Sequence, residues 1–111
     1  MNYTVKQLAK TAGASVRTIH YYDEIGLLKP AFVKENGYRV YGEAELLKLE
    51  QILFFKELDF PLEEIVRIMT SPNFDTMAAL TDQKKYLELK EAKVKRQIAT
   101  INKAINNPRG G

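Results

Sequence analysis

Thr4 to Leu28 reads TVKQLAKTAGASVRTIHYYDEIGLL, and the punctuation of this stretch decides the fold. Thr4 is a good N-cap, Gln7 completes a T-x-x-Q capping box, and Tyr3 and Leu8 occupy the staple positions, so a helix opens at Val5. Val5, Leu8, Ala9 and Ala12 follow at helical spacing, and Gly13 closes the helix where a residue of positive φ is wanted. Ser15 caps a second helix, whose apolar positions Val16, Ile19, Tyr22 and Ile25 recur every three residues until Gly26 ends it. Two short helices across a tight glycine turn form a helix-turn-helix when a small residue lets the second cross closely, and Ala9 fills that role. The same pair would also serve as an ordinary αα-corner in a helical bundle.

Downstream, Lys29-Pro30 breaks the helical pattern. Ala31-Phe32-Val33 and Tyr38-Arg39-Val40-Tyr41 flank Asn36-Gly37, the preferred pair for a type I′ turn, and predict a small β-hairpin. A two-stranded hairpin is marginal alone, so it must lean on the helices with its tip projecting as a wing. A third helix is predicted from about Glu43 to Leu58, with Gly42 as a tolerable cap and Leu46, Leu49 or Glu50, Leu53 and Phe54 on its inner side. Asp59 and Phe60-Pro61 stop it. Pro61 is placed to begin a fourth helix, Leu62 to Met69, burying Leu62, Ile65, Val66 and Met69.

After the Ser71-Pro72-Asn73 linker, Asp75 can cap a long helix from Thr76 to about Ile105, where the apolar stripe narrows. Met77, Leu80, Lys84, Leu87, Glu91, Val94, Ile98, Ile101 and Ile105 alternate at three and four residues, the a/d spacing of a coiled coil over four heptads. Lys84 and Glu91 are the polar exceptions and suit the setting of register. At ~1.5 Å per residue such a helix is ~45 Å long and should seek a partner, most simply a second copy of itself. Packing in cis against a further C-terminal domain is the other possibility. The domain reading is therefore a head at 1–71, a coiled-coil dimerisation helix at 75–106 and a flexible tail at 107–111.

With 111 residues, one compact domain plus an appended element is the upper bound. No cysteine and a single histidine exclude disulfides, thiolate clusters and a Cys nucleophile, and no phosphate loop or metal-ligand spacing is present. Acidic neighbours such as Glu63-Glu64 point different ways on a short helix, so the chain is not expected to be an enzyme or to need a cofactor. No apolar run exceeds four residues, as in Ile52 to Phe55, against the ~20 of a membrane-spanning helix, and a cytoplasmic protein with no membrane partner is expected. The net charge of +3 is unevenly spread: residues 1–41 carry +3, residues 42–75 carry −5 and residues 76–111 carry +5. The basic N-terminal segment also holds five of the six tyrosines, and basic groups interleaved with phenolic hydroxyls suit contact with phosphate.

On a helix starting at Ser15, Arg17, Thr18 and Tyr21 share the face opposite Val16 and Ile19, near the positive helix N-terminus. Arg17 is the best candidate for a base contact, because its fork can pair with guanine O6 and N7. A surface salt bridge from Arg17 to Asp23 or Glu24 is the plainer alternative. On the hairpin, Tyr38 and Arg39 would reach phosphate or minor groove, with Tyr41 structural; alternatively, Tyr38 covers the helical core.

The order Val5-Lys6-Gln7-Leu8-Ala9, then Ser15 to Leu28, then Gly37-Tyr38-Arg39-Val40-Tyr41 resembles the head of the MerR family of transcriptional regulators. Ile52 to Leu58 followed by Phe60-Pro61-Leu62-Glu63-Glu64-Ile65 is similar to its multidrug and thiostrepton-responsive branch, the TipA/Mta-like regulators. The resemblance implies a mainly α fold: a winged helix-turn-helix head of four short helices and a hairpin wing, then a long helix dimerising as an antiparallel coiled coil. It implies a homodimer on palindromic double-stranded promoter DNA, activating transcription by bending and untwisting an overlong spacer so that RNA polymerase engages both promoter elements. Carried over by position, Arg17, Thr18, His20 and Tyr21 fall on the recognition helix with Tyr22 beside them, Tyr38 and Arg39 on the first wing, and Lys56 near a second. Leu80, Leu87, Val94, Ile98, Ile101 and Ile105 are the expected dimerisation residues. A coiled-coil protein-interaction module without sequence-specific DNA binding is the rival reading. Three departures stand out: Asp59 where glycine is usual, Gly42 where Ser or Thr is usual, and too few residues after the long helix for the family's effector-binding domain.

Overall fold

Two helix starts are built by side chains that satisfy the first free N–H groups. In the computed structural model, which describes residues 1–107, the Thr4 Oγ1 accepts the Gln7 N–H at 3.1 Å while Gln7 Oε1 accepts the Thr4 N–H at 2.9 Å, a reciprocal capping box that opens α1, Val5–Ala12. Ser15 Oγ accepts the Thr18 N–H at 3.0 Å and opens α2, Val16–Glu24. The hairpin strands β1, Phe32–Val33, and β2, Arg39–Val40, pair antiparallel with Phe32 opposite Val40 and Val33 opposite Arg39. Then come α3, Glu43–Glu57, α4, Leu62–Thr70, and α5, Thr76–Asn106.

The chain divides into two compact units, residues 1–74 and residues 75 onward. In the first, here the head, α1 packs on α2 and on α3, and α4 packs on α3. Leu8, Ile19, Leu28, Tyr41, Leu49, Ile52 and Ile65 are fully enclosed. The N-terminus is tied in by a β-bridge between Tyr3 and Tyr41, whose backbone groups exchange hydrogen bonds of 2.6 and 2.9 Å, and Tyr3 Oη donates to Glu43 Oε1 at 2.8 Å. The hairpin is thereby held at the end of β2 against both α1 and the start of α3.

The hairpin turn differs from the expected type I′. Asn36 does not take positive φ; Gly37 alone does, at 87°, and the Gly37 N–H closes a four-residue turn on the Lys34 carbonyl at 2.8 Å. The Asn36 side chain accepts the Tyr38 N–H at 3.1 Å, which explains why asparagine sits there without the left-handed backbone. Two apolar assignments are also corrected. Phe54 is 54% exposed, and the inner face of α3 carries Ile52 and Phe55 in its place; Ile25, at 40% exposure, lies outside the α2 stripe. Helix α3 has apolar residues nearly all round, so periodicity alone could not choose its inner face.

The ends of α2 and α3 use one device with different residues. After α2, Gly26 at φ 77° lets the Leu27 N–H reach the Tyr22 carbonyl at 2.8 Å and the Gly26 N–H reach Asp23 at 3.1 Å. After α3, Asp59 stands in the same left-handed place at φ 62°, with Phe60 N–H on the Phe55 carbonyl at 3.1 Å and Asp59 N–H on Lys56 at 3.0 Å. The Phe55 and Phe60 rings meet edge-on, centroids 5.3 Å apart, supplying the apolar contact of a Schellman motif. At the other end of α3, Gly42 can offer no side-chain cap, and only half a box remains: the Gly42 N–H donates to Glu45 Oε1 at 2.7 Å.

Among the described residues, α5 is the one element of the second unit. Asp75 Oδ1 accepts the Ala78 N–H at 3.0 Å, and the helix continues for 31 residues without one buried side chain. Leu80 and Leu87 are half-buried, whereas Met77, Val94, Ile98, Ile101 and Ile105 are exposed. No helix among the described residues is long and apolar enough to cross a membrane.

Candidate nucleic-acid interface

Helix α2 is divided lengthwise. Ile19 and Tyr22 turn into the core, with Tyr22 only 4% exposed, while Arg17 and Tyr21 are exposed and Thr18 and His20 half-buried. Thr18 is fixed twice by the cap, through its N–H to Ser15 Oγ and through its own Oγ1, which accepts the Ser15 hydroxyl at 2.8 Å. Val16, Arg17, Thr18, His20, Tyr21 and Glu24 line an open groove of about 760 Å³ along this face. Arg17 makes no ion pair with Asp23, whose partners lie elsewhere.

His20 also borders a second concavity, about 390 Å³, between the start of α1 and the hairpin. Here the fold gathers Thr4, Lys6, Lys34, Tyr38 and Arg39, three cations with a hydroxyl and a phenol and no carboxylate among the lining residues. Tyr38 is 68% exposed and therefore does not cover the helical core; Tyr41 does belong to it. Of the residues singled out from sequence, Arg17, Thr18, His20, Tyr21, Tyr38 and Arg39 line the two adjoining concavities. Tyr22 sits behind the α2 face as core, its phenol pushed up by burial and then by Tyr21. Lys56 is exposed in the last turn of α3 and lines neither concavity. Thr4, Lys6 and Lys34 are additions that sequence reasoning missed. Lys34 lies far along the chain from Thr4 and Lys6, and only the placing of the hairpin beside the start of α1 brings it to them.

Between α2 and the hairpin lies a buried carboxylate. Arg39 Nε donates to Asp23 Oδ2 at 2.6 Å and Lys29 Nζ lies 3.0 Å from Asp23 Oδ1, with Asp23 the one buried charged residue of the described chain. Burial works to raise the Asp23 carboxyl, and the hydrogen bonds and charges of Lys29 and Arg39 outweigh it, leaving the group below its ordinary value. The enclosed Tyr41 hydroxyl has no hydrogen-bond partner and is pushed up by burial first and then by the Asp23 charge. Groups able to hold a metal ion are absent among the described residues. The arrangement offers lysines, hydroxyls and two arginines, Arg17 on the helix edge and Arg39 on the hairpin, which is the chemistry of phosphate and base-edge recognition.

Residues 3–71 match the family described as MerR HTH family regulatory protein. The chain is 46% identical over its whole length to the HTH-type transcriptional activator mta of Bacillus subtilis and spans 43% of that protein, less than half its length. Among solved structures it is similar to MtaN, the N-terminus of the Bacillus subtilis multidrug transporter activator, with a TM-score of 0.85 and 47% identity over 93% of this chain and 97% of that one. It is also similar to HiNmlR, a MerR family regulator lacking the sensor domain and bound to promoter DNA, with a TM-score of 0.67 and 28% identity over 89% of this chain and 80% of the other.

Proposed function

The chain belongs to the MerR helix-turn-helix family of regulatory proteins, and from that premise we propose that it is the DNA-binding and dimerising part of a sequence-specific activator of transcription. The observation that carries this reading is the lengthwise division of α2. Its Arg17 and Tyr21 are open to solvent with Thr18 half-buried between them, while Ile19 and Tyr22 anchor it to the core. In the proposal, residues 1–71 form the DNA-binding domain, α2 enters the major groove, Arg17 reads a base edge, and Tyr38 and Arg39 on the hairpin hold the flanking backbone with His20 between them. Lys56 adds a phosphate contact from the end of α3. The DNA-bound relative supports this use of the fold.

The same reading gives α5 its role. Val94, Ile98, Ile101 and Ile105 form an exposed stripe at coiled-coil spacing, continued by Leu80 and Leu87. Residues 75–106 pair with the same helix of a second chain as an antiparallel coiled coil, burying that stripe. Two-fold symmetry then requires two half-sites related by a two-fold axis in the DNA. The relatives named as activators support activation, in which the dimer distorts promoter DNA for RNA polymerase in the cytoplasm.

Fluorescence anisotropy with the DNA upstream of the chain's own gene, against a scrambled duplex and across a salt series, tests the reading. Strong preference for the native sequence, with affinity falling steeply as salt rises, is the expected result. Equal binding to both duplexes would leave the coiled-coil interaction module as the better account. Arg17→Ala should cost ~1–3 kcal/mol on the native site and relax preference at one base pair. Uniform weakening on all duplexes would assign Arg17 to phosphate instead.

A further inference from the structure

Arg39 borders the cationic notch, yet its Nε is already committed to Asp23 Oδ2. That bond runs through Nε, and the side chain is 42% exposed. The guanidinium is therefore held at one corner and open along its outer edge. Asp23 comes from the last turn of α2, Lys29 from the segment after it and Arg39 from β2. One carboxylate thus fixes the hairpin relative to the helix that, on the DNA-binding reading above, enters the groove.

We propose that Asp23 is a positioning residue for nucleic-acid binding: by holding Arg39 through Nε, it presents the Nη edge to a backbone phosphate seated among Lys6, Lys34 and His20. A guanidinium bound at one corner loses little further freedom when it takes a phosphate oxygen, whereas an unheld arginine must be ordered at that moment. Lys29 shares the carboxylate through Oδ1, so the charge that orients Arg39 is itself fixed. The consequence reverses simple electrostatics. Removing this acid from a DNA-binding head should weaken binding to a polyanion, although net positive charge rises.

The test rests on the DNA-binding reading and uses the full chain with its preferred duplex. Asp23→Asn is compared with Glu35→Gln, which removes an exposed acid from the hairpin that carries Arg39. Glu35→Gln should bind as tightly as the parent or more tightly. Asp23→Asn, melted in parallel to verify that it is folded, should bind ~10-fold more weakly, the loss of one charge-assisted contact. Its salt slope should fall by ~0.9, one phosphate, and by the same amount as in Arg39→Gln. In the Arg39→Gln background, Asp23→Asn should have no further effect beyond roughly twofold. A merely structural role would instead melt the hairpin and remove the Lys34 contact too, giving a larger fall in slope. That larger fall, or unchanged or tighter binding by folded Asp23→Asn, overturns the proposal. Where Asp23→Asn does not fold, Arg39→Lys carries the test: it keeps the charge but cannot hold Asp23 and a phosphate at once, and parent-like binding would overturn the proposal. A parent chain that shows no preference among duplexes defeats the DNA-binding reading itself, which is a separate outcome.

Discussion

The head and the C-terminal helix draw on the same apolar residues, and only the head hides them. Residues 1–74 enclose Leu8, Ile19, Leu49, Ile52 and Ile65 with one another, whereas α5 carries Val94, Ile98, Ile101 and Ile105 in the open and encloses no side chain fully. Short helices meet one another through broad apolar faces, so their cores close within one chain. A long helix with a narrow stripe has no such partner in its own turns, and an a/d stripe is shaped for one other helix. The difference separates what stabilises the fold from what assembles it.

Substitutions can pull the two apart. The largest effect belongs to the head core: Leu49→Ala, at a fully enclosed site, should cost ~2–5 kcal/mol in urea denaturation and leave self-association of the surviving folded fraction intact. Ile98→Glu should do the reverse. It should leave the melting of the head in place while raising the dissociation constant of the proposed dimer ~100-fold or more, because a carboxylate would be buried without a partner. Sedimentation at micromolar concentration reads that loss, and a parent-like dimer would place the interface elsewhere than the stripe. Asp59→Gly is a gain of ~1 kcal/mol in the stability of the head alone, since glycine takes φ 62° without the Cβ clash. Thermal unfolding followed at the aromatic residues measures it. Gly42→Ser is smaller, a few tenths of a kcal/mol, adding the missing hydroxyl cap to α3 in a backbone already extended; its Cβ would approach only the movable end of Glu45, at 3.2 Å.

Much of the head was legible in the chain because its boundaries rest on local chemistry. Thr4 with Gln7, Ser15 with Thr18, and Asp75 with Ala78 each fix a helix start within four residues, and all three caps form as the sequence indicates. The left-handed backbone of Asp59 follows from the resemblance rather than from local chemistry: glycine is usual at this position, and Asp59 keeps the conformation a glycine would take. What the sequence left ambiguous is long-range. Phe54 and Phe55 are adjacent and equally apolar, and only packing against Phe60 turns Phe55 inward. The hairpin turn was misjudged because the Asn36 side chain bonds to the backbone locally rather than adopting the left-handed region.

The candidate site divides in the same way. Arg17, Thr18 and Tyr21 follow from one helix with a known cap, so their shared edge can be drawn from numbering alone. Lys6, Lys34 and Arg39 meet only because Tyr41, just after β2, bridges back to Tyr3, a pairing across almost forty residues that no periodicity announces. The Asp23 pairs are similarly hidden. An arginine sixteen positions away is its partner, while the nearer Arg17 is not.

A helix of 31 residues without a buried side chain is only weakly ordered by itself in water, because each ordered residue loses backbone entropy that packing must offset. In the proposed dimer, completing α5 and meeting a second chain become one event, so at low abundance the amount of assembled regulator scales with the square of chain concentration. Doubling synthesis would then raise promoter occupancy about fourfold. An unsatisfied stripe thus turns protein dosage into a threshold, before any ligand is involved.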